Sequence, residues 1–313
     1  MNQHLGRALC VGAAIALLSP LGAAAQSSTP SPHTVTTTKF TIDDVEASVA
    51  FYEDLVGLPE LRRLVDEGRL VEPFMGWTEN GRMGLLSYTA KESVEKSPYP
   101  VSVVFLPDLD AVASRFEAAA QPFQRFSGEA TGGVELAIVT DPSGNAIELV
   151  ERAGPPAVGG ARLIVENRAQ AEEFFVRIFG AEPGDRIETD TFDEVFMDVG
   201  EGMFVALFEP KGVGPLPKSD YPVVAIYSTE FDAVLERAPA PDRAAGLIAH
   251  SLLQSKSALA RLLLAAAPAS IRRRPAAAPA RGAGWAGRAG PTPQTQRSAA
   301  LRIQRSRSTR RVS

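Results

Sequence analysis

At 313 residues the chain is long enough for one large domain or two small ones, and its 45% hydrophobic and 22% charged residues are ordinary for a soluble globular protein. The net charge of −5 hides an uneven distribution, because residues 243–313 hold 14 of the 32 basic residues and none of the 37 acidic ones. The only cysteine, Cys10, lies in an apolar N-terminal stretch. This excludes disulfides, thiolate metal sites and a cysteine nucleophile from the rest of the chain.

The first 25 residues are typical of a secretory signal peptide. Arg7 provides a positive start, Ala8–Leu21 is apolar, and Ala23–Ala25 offers a small-residue cleavage site. Ser19-Pro20 interrupts the apolar stretch, which suits a signal better than a membrane span, although a retained anchor is the alternative. We therefore expect a periplasmic or secreted protein that is free of the membrane after cleavage. Its mature chain would begin with a polar linker at residues 26–33.

Strands and helices alternate from residue 34 onwards. Val- and Thr-rich Thr34–Ile42 predicts a strand, and Asp44 is a plausible N-cap for a helix that Gly57 ends. A second helix is predicted at Asp108–Ala120 from its apolar spacing. Further strands are predicted at Leu61–Leu64, Phe74–Thr78, Met83–Tyr88, Val101–Leu106, Val134–Thr140 and Ala146–Glu151, the last two joined by the turn residues Asp141-Pro142-Ser143-Gly144-Asn145.

An internal repeat follows. Phe51-Tyr52-Glu53-Asp54-Leu55-Val56-Gly57 has a counterpart in Phe174-Phe175-Val176-Arg177-Ile178-Phe179-Gly180, 123 residues later. Tyr99-Pro100-Val101 is echoed by Tyr221-Pro222-Val223, 122 residues later. Two matches at nearly the same offset indicate two copies of one module. Gly154–Gly160 is the natural linker between them.

The helix ending in Leu55-Val56-Gly57-Leu58 and the hairpin Asp141-Pro142-Ser143-Gly144-Asn145 together resemble a module of the vicinal-oxygen-chelate superfamily, which includes glyoxalases, bleomycin-resistance proteins and dioxygenases. The resemblance covers residues 34–152 fully and 161–237 partly. It implies an α+β fold of tandem βαβββ modules, in which a concave mixed sheet with flanking helices encloses a small-molecule pocket. We therefore expect module 1 at residues 34–152 and module 2 at residues 161–240.

Module 2 is predicted to be incomplete. Its closing hairpin should fall near Leu263, but no alternating strand pattern and no Asp-Pro-x-Gly-Asn motif is found there. Residues 241–313 form a basic tail rich in Ala, Arg and Pro, which we expect to be disordered or irregular. The alternatives are a genuine helix, a basic extension, or the out-of-frame reading of a GC-rich gene. Nucleic-acid binding by charge alone is not expected of an exported protein.

The resemblance implies metal ligands on the first strand, on the strand before the second helix and on the closing strand. Thr37, Val101 and Glu148 stand at those positions, so only Glu148 retains a ligand side chain. The equivalent positions in module 2 are Gly160 and Val223. None of the histidines His4, His33 and His250 is placed to help, since they fall in the signal, the linker and the tail. We predict no metal or other cofactor. A divalent metal is the alternative, because one carboxylate ligand remains.

Strand parity places Glu148 in the cup of the sheet. Ile147 and Leu149 share one face and would pack under the helices, so Glu148 and Val150 share the other. There Glu148 is the candidate catalytic residue, as a lone general base, and a candidate ligand-binding residue. Alternatively it is a solvated strand carboxylate or the partner of Lys39.

Apolar and aromatic side chains would line the rest of the pocket. The candidate ligand-binding residues are Thr37, Lys39, Trp77, Tyr88, Val101, Phe105 and Glu148, with Met83 and Tyr99 as further candidates, each of which could equally be core. The leading hypothesis is a metal-independent binder of a small organic ligand, and the alternative is a glyoxalase-like lyase or dioxygenase with a degenerate or borrowed metal site. A third possibility is a broken product without activity. The expected partners are the small molecule and a second copy of the chain, because half-complete modules of this family usually pair.

Overall fold

The computed structural model describes residues 31–66, 68–89, 96–128, 131, 133–216, 221–238, 247–250, 260–265 and 303–304, the last three ranges as backbone only. The predicted signal peptide and most of the predicted linker and tail lie outside these residues. In the part of the chain that is described, no helix is both long and apolar enough to cross a membrane.

The chain forms strands and short helices in the order that the sequence predicts for α+β modules. The strands are β1 His33–Thr41, β2 Glu60–Asp66, β3 Leu70–Thr78, β4 Gly81–Tyr88, β5 Ser102–Leu106, β6 Gln124–Phe126, β7 Leu136–Thr140, β8 Ala146–Glu151, β9 Ala157–Ile164, β10 Glu182–Glu188, β11 Phe192–Asp198, β12 Glu201–Gly202, β13 Phe204–Pro210, β14 Pro222–Ser228, β15 Leu247–His250, β16 Ala260–Ala265 and β17 Ile303–Gln304. The helices are α1 Val45–Ala50, which continues as a π-helix at Phe51–Val56, then α2 Leu109–Ala118, α3 Arg168–Phe179 and α4 Phe231–Arg237.

The helix ends confirm the predicted capping residues. Asp44 accepts a hydrogen bond from the backbone N–H of Ala47 at 3.0 Å. Asp108 was predicted to lie inside the second helix, but it caps that helix in the same way and accepts from the N–H of Ala111 at 2.9 Å. Gly57 takes φ = 86°, the left-handed conformation that often ends a helix. Glycine adopts it without steric cost because it has no Cβ. The local signals therefore act as the sequence analysis expected.

Predicted module 1 is itself a pair of βαβββ units, and predicted module 2 holds one complete unit and the start of a fourth, which is finer than the expected division. Unit 1 contains β1–β4, unit 2 contains β5–β8, and unit 3 contains β9–β11 and β13. In all three units the first strand pairs in parallel with the last, as β1 with β4, β5 with β8 and β9 with β13. Three complete copies of one topology therefore lie within residues 33–210.

The units assemble in a nested order. Unit 2 pairs with unit 3 through the antiparallel strands β5 and β9, where Ser102 is opposite Ala161, and the second sheet has the order β10-β11-β13-β9-β5-β8-β7-β6. Unit 1 pairs instead with β14, where Thr37 is opposite Ala225, in a first sheet of order β15-β16-β14-β1-β4-β3-β2-β17. The two halves of module 1 therefore belong to different sheets.

The fourth unit differs from the prediction in one detail. No strand was expected near residue 263, yet Ala260–Ala265 pairs with β14 and with Leu247–His250. The exposed edge of β14 offers unpaired backbone groups, which an apolar run such as Leu262–Leu264 can satisfy. However, β16 runs antiparallel to β14, whereas the three complete units pair their first and last strands in parallel. Within the described residues, the βαβββ topology of the fourth unit is therefore not completed.

The N-terminal boundary also needs correction. His33 was assigned to the linker, but it begins β1, is buried, and contacts the ring of Phe179 edge to face with 5.5 Å between ring centroids. The first sheet therefore starts inside the segment that was predicted to be a polar connection.

The main core lies on the faces of the two sheets that pack against the helices. Val104 and Leu106 of β5 and Ile147 and Leu149 of β8 belong to it, together with Phe116 of α2. The opposite face of the second sheet carries two separate apolar clusters that contain no helix residue. That helix-free face holds the candidate site.

Candidate functional site

We call the helix-free face of the second sheet its inner face. Successive side chains along a strand point to opposite faces, and this decides which residues lie on it. Along β8, Ile147 and Leu149 enter the main core, so Glu148 and Val150 turn the other way. By the same alternation β5 contributes Val103 and Phe105, β9 contributes Arg162, β11 contributes Glu194 and Phe196, and β13 contributes Phe204, Ala206 and Phe208. The predicted placement of Glu148 on the face away from the core is what this geometry shows.

A buried ionic triad occupies the middle of the inner face. Arg162 donates from Nη1 to Glu148 Oε2 and from Nε to Glu194 Oε1, both at 2.7 Å. The exposed fraction of all three side chains is 4% or less. The second oxygen of Glu148, Oε1, is buried and has no hydrogen-bond partner among the described residues. Since buried acceptors are normally satisfied, this oxygen marks a position where a donor would be bound.

The triad contains two carboxylates and one guanidinium. Burial raises the pKa of Glu194, and the negative charge of Glu148 raises it further, while Arg162 partly offsets both effects. Burial alone would lower the pKa of Arg162, but the two glutamates outweigh burial and hold it above its ordinary value. The guanidinium is therefore charged, and the triad has one more acidic group than basic groups.

Phenylalanine rings surround the triad on both sides. Phe204 belongs to both apolar clusters, with ring centroids 6.3 Å from Phe105 and 5.2 Å from Phe196. On the other side Phe208 stacks on Phe192 at 5.0 Å, and the Tyr99 ring lies 5.1 Å from Phe208. A flat ligand would meet ring faces next to the charged groups.

Two glycines of β9 make room for these rings. A Cβ atom at Gly159 would lie 2.0 Å from the Phe105 ring, and one at Gly160 would lie 2.1 Å from the Phe204 ring. The rings therefore lie directly on the backbone of β9. This explains why a Gly-Gly pair stands inside a strand, where glycine normally weakens pairing.

The inner face of the first sheet repeats part of this arrangement. Lys39 on β1 forms a buried ion pair with Glu72 on β3. The strand register places Lys39 beside Gly84 and Gly84 beside Phe74, just as Arg162 is beside Ala206 and Ala206 beside Phe196. Units 1 and 3 therefore each carry a basic side chain on the first strand, and in each unit it is paired with a glutamate on the third strand.

The predicted site residues do not come together in one pocket. Thr37, Lys39 and Tyr88 lie in the first sheet, where Tyr88 contacts Tyr221 with 4.9 Å between ring centroids. Phe105 and Glu148 lie in the second sheet, with Tyr99 beside Phe208. The remaining candidates Trp77, Val101 and Met83 pack against the main core. The alternative that paired Glu148 with Lys39 is wrong, because Arg162 holds Glu148.

Arg162 and Glu194 are the residues that the sequence analysis missed, and a signal for them exists. Glu72-Pro73-Phe74-Met75 returns as Glu194-Val195-Phe196-Met197 at the 122-residue offset of the repeat already recognised. In addition, Glu194 lies between Phe192 and Phe196 on one strand face, while Val195 and Met197 form the other. A glutamate on a strand that is apolar on both faces has to be buried and paired.

The residues present do not fit the metal site that the fold family implies. Glu148 and Glu194 are the only carboxylates of the triad, and the guanidinium of Arg162 stands between them as their cation. Val103, which pairs with Glu148, and Ala206, which pairs with Arg162, offer no ligand atom. Within the described residues, no group of three or more His, Cys, Asp and Glu side chains is arranged to hold a metal ion.

The motif residues that carried the resemblance have a structural role. Asp141 Oδ1 accepts from the backbone N–H groups of Ser143 and Asn145 at 2.9 and 2.8 Å, and its Oδ2 accepts from the Tyr52 phenol at 3.1 Å. Asn145 Nδ2 donates to the carbonyl of Thr41 at 3.0 Å. The hairpin therefore fastens the helix and first strand of unit 1 to unit 2.

The fold and these motifs define a protein of paired βαβββ units, and comparison with known proteins agrees. Residues 32–149 match the model of the Glyoxalase/Bleomycin resistance protein/Dioxygenase superfamily. This match covers the segment that carries the resemblance to the vicinal-oxygen-chelate superfamily. A search of the curated proteins finds no match to the chain.

Solved structures resemble the fold over about two thirds of the chain. Glyoxalase I from Zea mays superposes with a TM-score of 0.57 at 18% identity, over 66% of this chain and 78% of that one. A point mutant of the same enzyme gives a TM-score of 0.58 at 16% identity, over 66% of this chain and 79% of that one. At these identities the likeness shows the fold alone.

Proposed function

We propose that the protein binds a small organic molecule on the inner face of the second sheet, without a bound metal ion. The observation that carries the proposal is Glu148, whose Oε1 is buried without a hydrogen-bond partner among the described residues. The aromatic rings on either side supply apolar contact area, and Arg162 supplies the positive charge that a metal would otherwise provide.

Calorimetry separates this proposal from a metal-dependent site. Titration of the purified protein with Ni²⁺, Mn²⁺ or Fe²⁺ is expected to show no tight stoichiometric site, because Arg162 already neutralises one carboxylate. A single tight ion per chain that is lost in Glu148→Ala would overturn the proposal. The matched control is Glu173→Ala, which removes a carboxylate whose side chain is 75% exposed on α3.

An enzymatic function is the second candidate, and it rests on the same oxygen. A carboxylate oxygen without a partner can accept a proton from a bound substrate, and Arg162 would fix its orientation. The reactions to test are those of a glyoxalase-like lyase and a dioxygenase, with the methylglyoxal–glutathione adduct and catechol as substrates. Turnover that disappears in Glu148→Gln but persists in Glu173→Gln would favour this candidate over simple binding.

We propose further that the protein is exported, as its first 25 residues indicate. Expression with the natural N-terminus in a bacterium should release a mature form that begins at Gln26, as measured by intact mass and N-terminal sequencing of the periplasmic fraction. A cytoplasmic product that retains Met1 would contradict export. The binding proposal does not depend on this outcome.

A further inference from the structure

We infer that the inner face of the second sheet takes an organic cation, in which an ammonium group on a flat apolar body donates to Glu148 Oε1. This inference rests on the proposed function, because it names the class of ligand for the same site. It goes further by assigning the charge of the ligand and the atom that recognises it.

The first sheet provides an internal comparison for the second. Its ion pair consists of Lys39 and Glu72, at the positions that Arg162 and Glu194 occupy in the second sheet. Gly84 pairs with Lys39 as Ala206 pairs with Arg162, so neither unit 1 nor unit 3 supplies a carboxylate from its own last strand. The base and the third-strand glutamate thus form a pair without a residue such as Glu148. The carboxylate of Glu148 is an addition to this pair.

Only one oxygen of the Glu148 carboxylate is hydrogen-bonded within the triad. Arg162 gives Nε to Glu194 and Nη1 to Glu148, so one oxygen of Glu148 is bound and the other has no partner among the described residues. An ammonium carries three N–H donors and a positive charge, and it would satisfy Oε1 and balance the surplus carboxylate together. A ligand carboxylate would instead bring a third negative charge into a buried site, which is unfavourable.

Aromatic rings of the inner face already contact basic side chains, so their faces accept cations. The guanidinium of Arg152 lies 3.6 Å from the Phe105 ring centroid, and that of Arg162 lies 5.7 Å from the Phe208 ring centroid. Ring faces attract cations through their quadrupole. Phe204, which is only partly buried and belongs to both clusters, presents a further ring between the two.

Three ligands of one shape test the inference. Benzylamine, benzyl alcohol and benzoate share a phenyl ring and differ in charge, and their dissociation constants with the full chain can be measured by ligand-observed NMR at pH 7. We expect benzylamine to bind about tenfold more tightly than benzyl alcohol, and benzoate to bind most weakly. Glu148→Gln should abolish the preference for the amine, whereas Glu173→Gln should keep it.

The outcomes distinguish the two claims. If the alcohol or the benzoate binds as tightly as the amine, or if Glu148→Gln keeps the preference, the inference is overturned while binding on this face stands. If none of the three ligands binds, and none shifts the unfolding temperature at millimolar concentration, the proposed function fails with it. Should Glu148→Gln not fold, as judged by circular dichroism, Phe204→Leu replaces it, and the amine should then lose more affinity than the alcohol.

Discussion

The phenol of Tyr52 donates a 3.1 Å hydrogen bond to Asp141, and so joins the helix of unit 1 to the closing hairpin of unit 2. Burial raises the pKa of Tyr52 well above its ordinary value, and the charge of Asp141 raises it further. Both groups are buried, but only the phenol relies on this bond, because Asp141 also accepts from Ser143 and Asn145.

Tyr52→Phe is expected to lower the free energy of unfolding by about 1–2 kcal/mol, because Asp141 loses one donor but keeps its backbone donors. Urea unfolding at pH 7 measures this. Tyr99→Phe is the matched control, because the Tyr99 ring is held by its contact with Phe208, and it should change stability by less than about 0.5 kcal/mol. Equal losses in the two variants would show that the Tyr52–Asp141 bond contributes nothing specific.

Arg162→Met is expected to destabilise the protein by about 3–5 kcal/mol, because two buried carboxylates then lack their cation. A triple variant that combines Glu148→Leu, Arg162→Met and Glu194→Leu should recover most of that loss, since well-packed apolar groups can substitute for a buried ionic cluster. Urea unfolding of the single and triple variants gives both values. A triple variant as unstable as Arg162→Met would show that the triad itself stabilises the sheet.

Gly160→Ala should be destabilising by about 1–3 kcal/mol, because its new Cβ would lie 2.1 Å from the Phe204 ring and displace it. Gly214→Ala is the control, since a Cβ there meets nothing within 4 Å. Combining Gly160→Ala with Phe204→Leu should restore part of the loss by freeing space. If Gly160→Ala alone costs no more than Gly214→Ala, the ring does not lie on β9 as described.

Neighbouring residues of β11 should give opposite dependences of stability on pH. Burial alone would raise the pKa of Asp193, but hydrogen bonds from Arg186 and Arg168 outweigh it and lower that pKa below 3.8. Its contribution is therefore present above pH 3.8 and is lost as the pH falls through the lowered value. The pKa of Glu194 is raised from 4.5, so the folded state keeps its proton longer than the unfolded chain does. This contribution is largest below pH 4.5 and is lost as the pH rises through the raised value.

Denaturant unfolding between about pH 2 and pH 8 checks both signs. Asp193→Asn should flatten the loss of stability on the acid side, and Glu194→Gln should flatten the loss on the side above pH 4.5. The same slope in both variants would contradict the assignment, because the two carboxyl groups differ in the sign of their shifts.

Limited proteolysis tests the nested assembly. The sequence alone allows a stable fragment that ends after Arg152. The structure does not, because such a fragment would lack β9, which pairs with β5, and β14, which pairs with β1. We expect a resistant core from about His33 to Arg237, identified by mass spectrometry. A stable fragment that ends at residue 152 would show that the first module folds without its partners.

Local features of the fold were predictable from the sequence. Asp44, Gly57 and the Asp141–Asn145 turn act within a few residues of themselves, so their chemistry decides their structure. The face of Glu148 followed from alternation along one strand. The sheet partners did not, because the choice between pairing unit 1 with unit 2 or with a later unit depends on packing between strands that are far apart in the chain. Arg162 and Glu194 were missed for the same reason, since their partners lie on other strands.

Nested pairing also insulates the second sheet from the ends of the chain. Every strand of that sheet lies between Ser102 and Pro210, so the second sheet is complete before the fourth unit begins in the chain. A truncation or an altered reading frame beyond residue 238 would leave the edge of the first sheet incomplete and would leave Glu148, Arg162 and Glu194 where they are. Chains with very different C-terminal ends could therefore share the same inner face.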